Sequence, residues 1–134
     1  MTEDDIAAGL AGRLTSAALG YQIAWVNMSE TLTAPFLTFQ VVRAGRQNPL
    51  ISSQGTISRG YAQINAVIKE NSPTGDRKAT QMADEIIAVF PPRTKIAIPG
   101  GSIEIGDTDL GVGFQSGTHW VQPVRVNYRA FPRN

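Results

Sequence analysis

A chain of 134 residues is long enough for one domain, 1–134, and short for two of ordinary size. With no cysteine it has no disulfide, no thiolate nucleophile and no Cys-based zinc site, a composition that suits a reducing compartment. A formal net charge of +1, with 17% charged residues, lacks the basic excess of a dedicated nucleic-acid binder; no apolar run approaches the ~20 residues of a membrane span, and no charged-then-apolar leader opens the chain.

The first segment reads as an amphipathic helix. Thr2 is placed to cap it and Asp5 stands where a capping-box acid belongs, while Glu3, Asp4 and Asp5 bring negative charge to the positive end of the helix dipole. Ile6, Leu10, Leu14 and Ala17 recur at helical steps and form one buried stripe. Gly9 and Gly12 each lower helix propensity by about 1 kcal/mol relative to Ala, which close approach of the helix to a sheet would offset. Gly20 is expected to end the helix.

Strands follow. A short one covers 22–26, and after Pro35 a half-buried one covers 36–43, with Leu37, Phe39 and Val41 on one face. Segment 44–60 has little periodicity and reads as a long connection, of the kind that is usually functional or mobile. The next strand, 61–70, lines one face with Ala62, Ile64, Ala66 and Ile68 and the other with Tyr61, Gln63, Asn65 and Val67. The turn Ser72-Pro73-Thr74-Gly75-Asp76 leads to a second helix, capped by Thr74 or Ser72, with Ala79, Met82, Ala83, Ile86 and Phe90 on its apolar face and Pro91-Pro92 as its stop. Strands are then expected at 95–98, 102–105 and 120–130, the last sending Val124, Val126 and Tyr128 one way and Arg125, Asn127 and Arg129 the other. The result is an α+β domain in the order α-β-β-β-α-β-β-β: a mixed, mostly antiparallel sheet of about five to six strands with both helices on one face.

The sequence offers little catalytic material. A triad would need the single His119 with Asp107 or Asp109, and there is no nucleophile elbow; a strand-edge residue beside Trp120 is the simpler reading. Asp107-Thr108-Asp109-Leu110-Gly111 begins like a calcium loop, but Leu110 and Thr118 occupy later ligand places, so it reads as a loop using Asp for local hydrogen bonds. Gly111-Val112-Gly113 lacks the strand-to-helix context of a phosphate loop and reads as a turn or bulge. Trp25, Tyr61, Trp120 and Tyr128 read as core packing rather than a stacking platform. No cofactor and no metal is implied. Arg125, Arg129 and Arg133, with Lys95, form a basic stripe: either a solvated strand face, or one that meets acidic groups of another subunit or passing phosphates. Glu104, Asp107 and Asp109 are the nearby opposite charges.

Taken in order, these pieces resemble the tail terminator (tail completion) proteins of lambda-like, long-tailed bacteriophages. The acidic helix with Ile6, Leu10 and Leu14 leads to Ile23-Ala24-Trp25-Val26-Asn27, similar to the family's Trp-x-Asn segment, with Val26 where many relatives carry Pro. Segment 35–42, then Gly60 to Val67 with Gly75 and helix 79–90, is similar to the family's strand-Gly-helix centre, and Val124-Arg125-Val126-Asn127-Tyr128-Arg129-Ala130 to its closing strand. The resemblance implies a non-enzymatic virion protein at the head–tail junction, assembled in the host cytoplasm. It implies a homo-oligomeric six-membered ring that caps the tail tube, stops its polymerisation and joins the head connector. DNA would pass through the lumen without sequence-specific binding, and no membrane is involved. On that reading Arg43, Arg46, Arg59, Glu104, Asp107, Asp109, Arg125 and Arg129 are candidates for the subunit or tube interface, and segment 44–60 for docking on the tube or a neighbouring subunit. A head–tail connector or neck ring is the alternative function. A small-molecule-binding or enzymatic α+β domain, or a freestanding cytoplasmic oligomer, stands further off.

Overall fold

The computed structural model describes residues 2–25, 35–47, 57–69 and 77–132. Helix α1 (Glu3–Ser16) starts with a complete capping box: Asp5 N–H donates to Thr2 Oγ1 at 3.0 Å, and Thr2 N–H donates to the Asp5 carboxylate at 2.9 Å. Ile6, Leu10 and Leu14 are buried as the stripe predicts. The helix ends at Ser16 rather than near Gly20. Ala17 is its cap, its N–H bonded back to the Arg13 carbonyl at 3.2 Å, and Ala18 takes a left-handed φ of 50° just beyond. Ala17 is therefore exposed and not part of the stripe.

Strand β1 (Gln22–Trp25) runs parallel to β2 (Phe36–Gln47), and β2 pairs antiparallel with β3 (Ile57–Lys69). Residues 44–47 and 57–60, expected in a loop, are strand: Gly45, Arg46 and Gln47 pair with Arg59, Ser58 and Ile57. Backbone pairing carries the hairpin past the point where apolar alternation stops, across an irregularity between Arg43 and Gly45. The remainder of that segment, and the cap expected at Thr74 or Ser72, lie outside the described residues.

Helix α2 (Arg77–Val89) buries Ala79, Met82, Ala83 and Ile86, with Phe90 buried just past its end. Strand β4 (Lys95–Ile98) turns into β5 (Gly101–Leu110), which is longer than the 102–105 expected; β6 (Phe114–Ser116) and β7 (His119–Pro132) complete the sheet. The order is β1-β2-β3-β7-β5-β4, with β6 also paired to β7. This is the α+β architecture anticipated, with one short strand more.

Both helices lie on one face. There Leu37, Phe39, Ile64, Ile103, Ile105, Val124 and Val126 meet Ile6, Leu10, Leu14, Met82 and Ile86 in one core. Each fully buried aliphatic side chain contributes about 1.5–3 kcal/mol. Of the two helix glycines only Gly9 serves close approach. A Cβ there would stand 2.6 Å from Ile98 Cγ2, whereas one on Gly12 meets nothing within 4 Å. The helices are also tied by Arg13, whose Nε donates to the Val89 carbonyl at 2.6 Å.

Candidate functional site

Alternation along the strands sends a second set of side chains away from the helices. In β7 these include Pro123, Arg125, Asn127 and Arg129; in β3, Arg59, Tyr61, Gln63 and Asn65. The register sets Arg59 directly opposite Arg129, Tyr61 opposite Asn127 and Gln63 opposite Arg125. From the other side β5 sets Glu104 opposite Arg129 and Asp109 opposite Arg125, while Lys95 of β4 stands opposite Glu104. Five of the eight interface candidates, Arg59, Glu104, Asp109, Arg125 and Arg129, thus share the helix-free face.

Asp107 sits beside them in a bulge. Between Ile105 and Thr108 the register shifts, so that β5 carries one extra residue, with Gly106 and Asp107 together opposite Asn127. The Asn127 amide holds the bulge, its Nδ2 donating to the Asp107 carbonyl at 2.8 Å and to Asp109 Oδ2 at 3.0 Å. Asp107 and Asp109 therefore belong to a strand and not to the loop the sequence suggests. In place of the local hydrogen bonds the sequence suggests, the Asp107 carbonyl and the Asp109 carboxylate accept from the Asn127 side chain of β7.

The guanidinium of Arg125 lies 4.6 Å from the centre of the Tyr61 ring, a cation–π contact that holds the charge over the sheet. Arg59, Tyr61, Glu104, Asn127 and Arg129 line an open depression of about 320 Å³. Among the described residues, Arg59, Arg125 and Arg129 reach no carboxylate within ion-pair distance. Two guanidinium groups facing each other across β3 and β7 repel, and an anionic group supplied from outside would relieve that repulsion.

Arg43 belongs elsewhere. It lies opposite Gly60 on the helix side, where its Nε donates to Glu3 Oε2 at 3.1 Å, and Ser58 Oγ donates to Glu3 Oε1 at 3.2 Å. Glu3, read from the sequence as a dipole charge alone, fastens α1 to the β2–β3 pair. Nearby, burial first and the Glu3 charge second push the Tyr128 phenol above its usual pKa, and its hydroxyl has no partner among the described residues. The Arg46 side chain and Arg133 fall outside the described residues.

His119 packs edge-on against Phe36, ring centres 6.3 Å apart. It stands six residues along β7 from Arg125, the partner of Asp109, or about 20 Å at strand rise, so the two do not form a catalytic pair. Among the described residues there is no group of three or more metal-ligating side chains, and no helix is long and apolar enough to cross a membrane. Trp25 and Trp120 pack against the core and Tyr128 is within it, while Tyr61 carries Arg125 on the open face. Leu110, Val112 and Phe114 are exposed, Val112 at 88%. Their spacing with Gly111 and Gly113 was the only sequence signal of this apolar tip.

Three comparisons bear on identity. No curated protein matches the chain. A solved structure superposes with a TM-score of 0.79 at 23% identity, covering 100% of this chain and 99% of its own, which establishes a shared fold. The model of a family described as phage tail terminator protein matches residues 5–128, nearly the whole ordered sheet and both helices. The chain therefore belongs to the phage tail terminator family, structural proteins of the bacteriophage tail.

Proposed function

We propose that this protein forms a ring, six-membered by its resemblance to the family, that seats on the end of the tail tube, ends polymerisation and offers its other surface to the head connector. DNA passes through the lumen without sequence-specific contact, and the chain acts at the head–tail junction after assembly in the host cytoplasm. One observation carries the reading beyond family membership. The protomer has two unlike faces, one closed by helices and one open and lined by arginines without carboxylate partners among the described residues. A closed head-to-tail ring needs two different patches on every subunit, and so does a cap that meets different proteins above and below.

Negative-stain microscopy of the purified protein, alone and mixed with its tail-tube protein, tests this. Rings, or caps on tubes of limited length, support the proposal. Protein that ignores tube ends overturns it, and binding to the connector-side ring instead assigns the protein to the neck.

A further inference from the structure

We infer that the apolar tip between β5 and β6 is a knob that seats in the recess between the C-terminal ends of α1 and α2 on a second copy of this chain. The inference rests on the proposed ring, whose subunit contact it specifies. Leu110, Val112 and Phe114 are the large hydrophobic side chains left exposed among the described residues. Three of them within one five-residue stretch make a single patch, and a concentrated apolar patch on a folded protein marks a contact surface.

The tip is built to hold its shape. Gly111 N–H donates to the Pro123 carbonyl at 3.0 Å, and Gln122 Nε2 donates to the Gly111 carbonyl at 2.7 Å. Leu110 lies in register with Val124 and Phe114 with Val121, so both ends of the tip are paired to β7. Gly113 lies against the Trp120 indole, where a Cβ would stand 2.6 Å from Trp120 Cζ2. A tip bound to β7 before and after Val112 loses little freedom when something covers it. Preorganisation of that kind favours association.

The recess lies elsewhere. Ala17, Leu19, Ala88 and Val89 line it together with Arg13 and Glu85, around an open volume of about 490 Å³. Its shape follows from the helix ends. Helix α1 stops at Ser16, Ala18 turns the chain with its left-handed φ, and the Arg13 bond to the Val89 carbonyl sets the two ends side by side. Ala17 and Ala88 are exposed there, and Leu19 is half-buried against the core. Small side chains on both helix ends leave room for larger ones from a neighbour. No residue of the tip lines the recess. The chain leaving α2 passes Ile105, whose carbonyl accepts from Arg93 N–H, and Leu110 lies five residues further along β5, about 17 Å at strand rise. Knob and recess of one subunit are therefore separate, and neither fills the other.

A second copy serves both. One contact covers the knob of one subunit and the recess of the next. Because the two patches differ, the contact is heterologous and repeats head to tail, as a ring requires. Two tips pressed together would instead make an isologous pair and stop at a dimer.

The chain has no cysteine, so introduced ones report this contact alone. Full-length Val112→Cys is mixed with Ala88→Cys whose thiol carries a pyridyl disulfide, with and without tail tubes. Attack by the thiolate of the first variant forms the intersubunit disulfide and releases pyridinethione. Both positions are exposed, and circular dichroism confirms that each variant is folded. The linked dimer should form at least about tenfold faster than with equally activated Asp4→Cys, exposed at the other end of α1, because a disulfide needs its two Cβ atoms close together. Val112→Asp and Ala88→Lys should each weaken assembly, read by sedimentation, by at least about tenfold. Equal trapping at Ala88 and Asp4, or unchanged assembly of either folded charge variant, overturns the inference. A Val112→Asp protein that assembles normally but no longer caps tubes also overturns it and assigns the tip to the tube protein. Microscopy of the wild type is scored separately. Rings or caps without trapped disulfide refute this contact and leave the proposed function standing, whereas protein that forms neither refutes both.

Discussion

Two glycines three residues apart in α1 should respond unequally to alanine. Each Gly→Ala change gains about 1 kcal/mol of helix propensity. At Gly12 the new methyl enters open space, so Gly12→Ala should stabilise the protein by about 0.5–1 kcal/mol. At Gly9 it would stand 2.6 Å from Ile98 Cγ2 and 3.1 Å from Ile103 Cδ1, about 1 Å inside the optimum carbon separation for the first. Ile98 is buried and β-branched, so its Cγ2 cannot turn aside without leaving a preferred rotamer, and α1 must lift from β4 instead. Overpacking of this kind costs about 1–3 kcal/mol, which offsets or exceeds the propensity gain. Gly9→Ala should therefore range from neutral to about 2 kcal/mol destabilised, and the gap between the two variants should be about 1–3 kcal/mol. Urea unfolding at one fixed protein concentration, with unchanged m-values, measures both. Equal stabilisation by the two substitutions would refute the close approach of α1 to the β4–β5 hairpin.

Three further outcomes follow from contacts described above. Arg13→Met removes the charged hydrogen bond to the Val89 carbonyl and should destabilise the fold by about 1.5–3 kcal/mol in the same assay; an unchanged midpoint would count against that bond. The Asp5 carboxyl is held below its ordinary pKa, first by the Thr2 backbone N–H and then by the Thr2 side chain, so its contribution to stability is present above the unfolded carboxylate value and lost as pH falls through the folded one. The melting temperature of Asp5→Asn should accordingly converge on that of the wild type as pH drops through the acid range, and a constant gap between them would remove this linkage. Tyr128→Phe deletes a buried hydroxyl that lacks a partner among the described residues and should be neutral or stabilising by up to about 1 kcal/mol. Because burial raises the Tyr128 pKa, its contribution is full below the unfolded value and is lost as pH rises through the folded one; the variant's alkaline melting profile should be the flatter of the two.

The parts of the fold legible in the sequence are those where one face is buried and its neighbours in sequence are not. Ala62 to Ala66 and Val124 to Ala130 alternate cleanly because β3 and β7 have helices on one side only. The same contrast put Arg125 and Arg129 on the open face. Arg59 joined them only through register, since Gly60 and the residues before it show no alternation. Arg43 and Arg59 read alike as surface cations, yet they face opposite sides of the sheet: Arg43 lies opposite Gly60, whereas Arg59 lies opposite Arg129. The second half of β5 looked like a loop because of its two aspartates. What holds it in the sheet is the length of β7 and the Asn127 amide, neither of which is local to it. Gly12 was misjudged for a related reason: sequence shows that a side chain is missing, not what the space is for.

The strand order has a consequence for synthesis. The sheet consists of one group, β1-β2-β3, and another, β4-β5, joined only by β7, the last strand of the described chain. Until β7 has emerged, the chain can form at most two half-sheets that share no strand pairing, with the edges of β3 and β5 bare. Neither half can close over the shared core, because Val124, Val126 and Tyr128 have yet to arrive. A nascent chain stalled there should remain open to protease and should not enter a ring. On the proposed ring reading, a subunit becomes competent for assembly only once β7 has been made and paired.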